Sequence, residues 1–248
     1  MSDTSTGELT RSHGAFQGVD GLGTLDTLLS ALPDKFSVLK SGDRSAAWSF
    51  AAKALTPFRW QALDGEEEWA ADASIANLGA ISLIHMRHNG ASLHSHIPPA
   101  ADYYDVHFAL SGASQLSLPS TQSARQSDLR LNGRSGVIVS PDTPMEMTVA
   151  DGYEQFHVRI ERAAVNRHLE RILERPISEP LRWDPQTDLG GSSFMNWVRA
   201  VALLIDDLAT EEECRNTYDA WASLLITKLL RAQANNYSDE FERREYSS

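Results

Sequence analysis

At 248 residues, 42% hydrophobic and 23% charged, the chain is long enough for a sizeable core and has the balance of an ordinary globular protein. Its 34 acidic side chains against 22 basic ones leave a formal charge of -12, so a phosphate backbone repels it and direct nucleic-acid binding by these residues is not expected. The single cysteine, Cys214, excludes an internal disulfide and a cysteine-rich zinc site, and its neighbours Glu211, Glu212 and Glu213 disfavour a reactive thiolate there.

Residues 1–20 are rich in Ser, Thr and Gly and read as a poorly ordered arm. They lack the basic start and apolar stretch of a leader, and no run in the chain reaches the roughly 18 apolar residues of a membrane span, so a cytoplasmic protein is expected. In residues 24–32, Leu25, Leu28, Leu29 and Leu32 recur at helical spacing behind Thr24 and before Pro33, which predicts a short helix. Residues 36–60, containing WSFAAKALTPFRW, read as irregular or edge strands, with Pro57 barring a central position.

A strand-rich segment follows. Strands are expected over residues 80–87, 102–110, 113–118, 136–140 and 154–160, separated by Asn-Gly, Pro and Ser punctuation, which is the pattern of a sandwich or small barrel. Residues 119–135 are polar, with a turn signal at Asn132-Gly133. The clearest strand is DYYDVHFALSG: Tyr104, Val106, Phe108 and Leu110 alternate with Asp105, His107 and Ser111. Phe156, Val158 and Ile160 likewise alternate with Gln155, His157 and Arg159, so His107 and His157 are expected on exterior or inter-element faces.

After residue 160 the period changes to that of helices. One stripe, Val165, Leu169, Ile172 and Leu173, is stopped by Pro176. A second runs through Phe194, Trp197, Val198, Val201, Ile205 and Leu208. A third helix is expected to open at Thr210, spaced from Glu213 as in a capping box, and to carry Tyr218, Trp221, Leu225 and Leu229. Such stripes pack on the chain's own core or form a dimer seam. Residues 235–248 read as a polar tail, and acidic runs such as Glu66, Glu67 and Glu68 as solvated surface.

The most specific chemical signal is His94-Ser95-His96 before Pro98-Pro99, since two imidazoles two apart on a strand project to one face and can share a metal. A carboxylate would have to come from Asp102 or Asp105 and a further histidine from His157, which lies on the wrong face. The pair therefore reads as surface or cavity-mouth residues. There is no GxSxG elbow, P-loop, HExxH or dinucleotide fingerprint, and no catalytic residue, metal ligand or cofactor is assigned. The aromatic residues Trp60, Trp69, Tyr103 and Tyr104 are candidates for the wall of an apolar cavity.

The ordered series Asp102-Tyr103-Tyr104 to Leu110-Ser111-Gly112, Gly136 to Pro141 with Pro144, Phe156-His157-Val158-Arg159-Ile160, Val165 with His168-Leu169, Pro180-Leu181-Arg182-Trp183, Trp197 and Asn236-Tyr237-Ser238 resembles the AraC/XylS family of transcription regulators, in particular their cupin-like sensor domain. The resemblance covers residues 45–240. It implies an α+β fold: a cupin-like, jelly-roll small β-barrel followed by a helical region with two long antiparallel helices. The division it implies is an arm (1–20), an effector-binding barrel with a short helix before it (21–160), a dimerisation and signal-transmission region (161–235) and a tail (236–248). DNA would be contacted only through a helix-turn-helix region absent from this chain.

On that reading the protein is a non-enzymatic homodimer that responds to a small organic effector. Trp60, His94, His96, Tyr104 and Phe108 would meet the effector, and Trp197, Val201, Tyr218, Trp221 and Leu225 would form the dimer interface. Two rival readings are a metal-dependent cupin enzyme using His94 and His96, and an interaction module that forms mixed dimers through residues 194–229.

Overall fold

The computed structural model describes residues 25, 28, 29, 32–54, 59–63, 69–99, 101–119, 126–133, 135–187, 189–210 and 217–245. The arm, Thr24, Pro57, the acidic run Glu66 to Glu68, Cys214 and Glu213 of the expected capping box lie outside the described residues. A short 3-10 turn, Asp34–Phe36, leads into strand Ser37–Ser41 (β1), helix Arg44–Ala54 (α1) and strand Arg59–Ala62 (β2). Nine strands follow: Ala70–Leu78 (β3), Ile81–Asn89 (β4), Leu93–Ile97 (β5), Tyr103–Ser111 (β6), Ser114–Pro119 (β7), Gln126–Leu131 (β8), Gly136–Val139 (β9), Met145–Val149 (β10) and Glu154–Glu161 (β11). Then come helix Arg162–Leu173 (α2), the two-residue strand Gln186–Thr187 (β12), and helices Ser192–Ala209 (α3), Tyr218–Ala232 (α4) and Ser238–Glu245 (α5).

The five expected strands form within two residues of their expected ends. The helix α1 stands where strands were expected: its sequence RSAAWSFAAKA is rich in alanine, the best helix former, and Asp43 caps it by accepting from the N–H groups of Ser45 (2.8 Å) and Ala46 (3.4 Å). Strand β8 occupies part of the segment read as polar linker, and α5 occupies the segment read as tail. The α3 helix ends with the Thr210 hydroxyl donating to the Asp207 carbonyl at 2.7 Å.

The strands make two sheets, with every recorded pair antiparallel. One has seven strands in the order β1-β3-β4-β11-β6-β9-β12, the other five in the order β2-β5-β10-β7-β8. Gly79, at φ +69°, makes the tight β3–β4 turn in a conformation that a side chain resists.

The larger sheet is buried on both faces. One face carries Tyr104, Val106, Phe108, Phe156, Val158 and Ile160 against the helices. Leu25, Leu29 and Leu32 join that core, consistent with the apolar spacing seen in residues 24–32. The other face meets the smaller sheet, where Leu93, Leu116, Val137, Met145 and Met147 form a second core. The polar residues of β6 and β11 are therefore sandwiched, not solvated: His107 is 1% exposed and His157 6%. The periodicity placed them correctly opposite Phe108 and Val158, but with a helical layer on one side and a second sheet on the other there is no exterior face.

Trp197 ties the helices to the sheet, its indole N–H donating to the Leu225 carbonyl at 2.9 Å and its ring packing against Phe194 and Phe108. His168 on α2 reaches the Thr227 hydroxyl of α4 at 2.7 Å, while Arg171 donates to its Nδ1. Burial, then Arg171, lowers the His168 pKa, so the imidazole is held neutral. Residues 235–237 are stitched to 179–183: Trp183 and Asn235 form a β-bridge, Asn236 accepts from the Arg182 N–H at 2.8 Å, and the Tyr237 hydroxyl donates to the Glu179 carbonyl at 2.6 Å.

Gly136 is closely packed in the larger sheet. A Cβ there would lie 2.8 Å from Thr187 Oγ1, 2.9 Å from Phe108 Cδ1 and 3.0 Å from the His107 carbonyl oxygen. The Gly136→Ala variant is expected to lose about 2 kcal/mol by overpacking, readable as an earlier midpoint in urea unfolding.

Candidate functional site

The register of β11 on β6 builds a polar patch inside the protein. Arg159 stands opposite Asp105 and His157 opposite His107, while Gln155 is opposite Ala109. All share the face turned toward the smaller sheet, because alternate residues of a strand project to one side. Each polar group so placed has lost water and needs a partner.

Most of the partners are present, His107 Nδ1 being buried without one. Both oxygens of the Asp105 carboxylate lie near His157 Nδ1, at 3.0 and 3.1 Å, and Arg159 Nε is 3.8 Å away. Burial by itself pushes the Asp105 carboxyl up, but His157 and then Arg159 outweigh it and hold the group down to about 2. His157 Nε2 faces the Gln155 amide oxygen at 3.2 Å. The Arg159 guanidinium lies over the Tyr103 ring, 4.4 Å from its centre. Behind this row His107 stacks on His157 with ring centres 4.3 Å apart, and its Nε2 meets the Tyr153 hydroxyl at 3.0 Å, which in turn meets Ser114 Oγ at 2.9 Å. Burial, then the neighbouring His157, lowers the His107 pKa far below its usual value, so His107 is a neutral ring within this stack.

This patch is the floor of a cleft of about 50 Å³ between the sheets. Its walls include Met86, Val139, Met145, Met147, Ile97 and Trp60, with Ser95, Ser140 and Thr143 adding hydroxyls. The volume suits a small organic group, since a water needs about 10–15 Å³ on this measure. Apolar walls around a few convergent polar groups are the general form of a ligand pocket.

The residues assigned from sequence divide sharply. Trp60 lines the cleft. Tyr104 and Phe108 do not: they project to the helix side of β6, where the Tyr104 hydroxyl donates to the Leu181 carbonyl at 3.0 Å and Phe108 packs on Phe194. His94 and His96 also lie away from it. Ser95, between them, points inward and lines the cleft, so its two neighbours project outward, His94 to Thr148 at 3.0 Å and His96 toward Glu146 at 3.7 Å, the latter ring about half exposed. Among the described residues no three His, Cys, Asp or Glu side chains converge to hold a metal ion.

Of the expected interface residues, Trp197, Val201 and Leu225 are fully buried in the chain's own helical core, and only Tyr218 and Trp221 sit at its margin. The amphipathic stripe of α3 is consumed by the sheet. Alternation leaves Asp105, Gln155, His157 and Arg159 on a face that is either exterior or between elements, and the structure places it between elements. The signal that identified them was available in their spacing, Gln-x-His-x-Arg opposite a run of large apolar residues.

The AraC-binding-like domain model matches residues 48–232. The chain belongs to that family. Among solved structures, this AraC-binding-like domain is similar to the AraC-like transcriptional activator CuxR, with a TM-score of 0.53 and 12% identity over 80% of this chain and 71% of that one. At such identity the likeness is one of fold. Two variants of Bacillus subtilis oxalate decarboxylase OxdC overlap 42% of this chain and 27% of theirs with a TM-score of 0.31, at 11% and 9% identity. No individually curated protein matches. Among the described residues of the domain, no helix is long and apolar enough to cross a membrane.

Proposed function

We propose that this AraC-binding-like domain is the effector-sensing, dimerising part of a transcription regulator, that it is cupin-like in architecture, and that it works without catalysis. The observation that carries the reading is the polar patch of Asp105, Gln155, His157 and Arg159 set into an apolar cleft between two sheets. A protein has no stability reason to bury such a group where carbon would pack as well; a site for a small organic molecule is a reason.

Strands β6 and β11 give that site a route outward. On one face they carry the cleft, and on the other they carry Phe108 and Tyr104, which touch Phe194 and Trp197 of α3 and the segment around Leu181. A ligand that favours one packing of these strands biases the helices by its difference in affinity for the two arrangements. Homodimerisation is assigned to the outer faces of α3 and α4, which bear the exposed Leu203 (60%) and Leu224 (42%), in place of the buried Trp197, Val201 and Leu225. Contact with DNA falls to a region other than the one described.

The test is a thermal-shift screen of the purified chain against a broad set of small organic molecules, repeated on Met147→Trp, which fills the cleft. A ligand near 100 times its Kd is expected to add about 2.7 kcal/mol of stability to the native chain and nothing to the variant. A screen in which no compound raises the melting temperature, or in which the filled variant responds equally, overturns the reading.

A further inference from the structure

The charged groups lining the cleft are engaged with one another. Among the described residues that line it, Asp105 is the one carboxylate and Arg159 the one guanidinium, and they form an ion pair at 3.8 Å. The guanidinium also lies over the Tyr103 ring, 4.4 Å from its centre. His157 has both oxygens of Asp105 at its Nδ1, 3.0 and 3.1 Å away, and the Gln155 amide oxygen at its Nε2, 3.2 Å away, so both ring nitrogens are occupied. What is left to meet a ligand is polar without being charged. Ser140 and Thr143 each bring a hydroxyl that can donate or accept, and the Gln155 amide nitrogen can donate. The Ser95 hydroxyl donates to the Met147 carbonyl at 3.3 Å, and its oxygen can still accept. Ser95 is the cross-strand neighbour of both Trp60 and Met147, which sets that hydroxyl between an indole and a thioether.

We infer that the cleft takes a small uncharged organic molecule, its hydroxyl or carbonyl group received by Ser95, Thr143 and Gln155 and its apolar body by Trp60, Met86 and Met147. This deepens the sensor reading and rests on it. A carboxylate or an ammonium would leave water on entering and meet no counter-charge that another group of the protein does not already hold. Binding it would mean opening the pair of Asp105 and Arg159, and exchanging one buried ion pair for another gains little. A neutral polar group has less hydration to lose and needs only a hydrogen bond, which the hydroxyls and the amide supply. The methionines of the wall, unbranched and polarisable, shape themselves to different bodies, so the cleft selects by charge and size more than by outline.

Probes of matched shape isolate the charge: benzyl alcohol against benzylamine and benzamide against benzoate, and cyclohexylmethanol against cyclohexylmethylamine and cyclohexanecarboxamide against cyclohexanecarboxylate, tested on the full chain by calorimetry at neutral pH. At least one uncharged probe is expected to bind about tenfold or more tighter than its charged counterpart, a comparison that needs no variant. Thr143→Val and Ser95→Ala each remove one hydroxyl with little change of shape, and at least one of them is expected to weaken that probe about fivefold. Asp105→Asn makes the lining one charge more positive and is expected to raise carboxylate affinity about tenfold relative to the amide, which places the probes in this cleft; the two hydroxyl variants carry the test if it does not fold. A charged probe binding as tightly as its uncharged counterpart in every pair, or uncharged-probe affinity unchanged in both hydroxyl variants, overturns the assignment while the sensor reading stands, because a ligand still binds. Absence of binding by any of the eight at about 10 mM also overturns the assignment, and the broad screen then decides the sensor reading separately.

Discussion

Trp197→Ala is expected to cost about 4 kcal/mol of stability, the range for deleting a fully buried indole. The ring is 0% exposed, packs against Phe194 and Phe108, and donates to the Leu225 carbonyl at 2.9 Å. With Phe194 it seats α3 on β6, and its indole N–H grips α4, so its loss loosens sheet and helices together. Trp197→Phe keeps part of the ring volume and should lose about half as much. Urea unfolding at two protein concentrations checks the assignment. A core role predicts the same loss at both, whereas a seam residue would leave the dilute monomer untouched and weaken only association.

Asp105→Asn is expected to cost about 3 kcal/mol, because removing one partner of a buried ion pair leaves the others uncompensated. In this case His157 and Arg159 would face a neutral amide inside the protein. The same carboxylate makes the native chain acid-sensitive. Its folded pKa, about 2, lies below the ordinary value of 3.8, so between those two values the unfolded chain binds more protons. The stabilisation is therefore full above about pH 4 and is lost as the pH falls toward 2, amounting to roughly 2 kcal/mol at 1.36 kcal/mol per pKa unit. Stability measured from pH 5 down to pH 2 should fall more steeply for the native chain than for Asp105→Asn. Parallel curves would show that the carboxylate is not held ionised by its neighbours.

Large parts of the architecture were legible because they follow from spacing. The alternation in residues 103–110 and 154–160 and the three-and-four spacing of Phe194, Trp197 and Val201 each have one structural solution. What spacing missed has an identifiable cause. Strand β3, AADASIANL, is built from small residues and shows little apolar contrast, while in α1 the alanines outweigh the strand preference of Trp48 and Phe50. Strand β5 is absent from the expected strands because it is short and runs straight into Pro98-Pro99, although its HSH core pairs on both sides, with β2 and with β10.

The candidate site was half legible. The polar residues of β6 and β11 fall on the face that alternation assigns them, and alternation alone leaves that face either exterior or between elements. In a two-layer protein it would be exterior. Here the larger sheet is the middle of three layers, and the polar face is closed over by β2, β5 and β10, whose contribution to the cleft comes from Trp60, Ser95, Ile97, Met145 and Met147.

Periodicity, composition and the ordered motifs were enough by themselves to establish a β-rich body followed by helices and membership of the AraC-binding-like domain family, because these depend on local pattern and on order along the chain. Only the tertiary structure decided where each histidine lies. His94 and His96 are two residues apart in sequence yet face outward, whereas Asp105, His157 and Arg159 meet across a strand pair some fifty residues apart in the chain. A strand's period specifies that two sets of side chains lie on opposite faces; what covers each face is set by elements distant in sequence, and that covering makes the difference between a wet surface and a buried cleft.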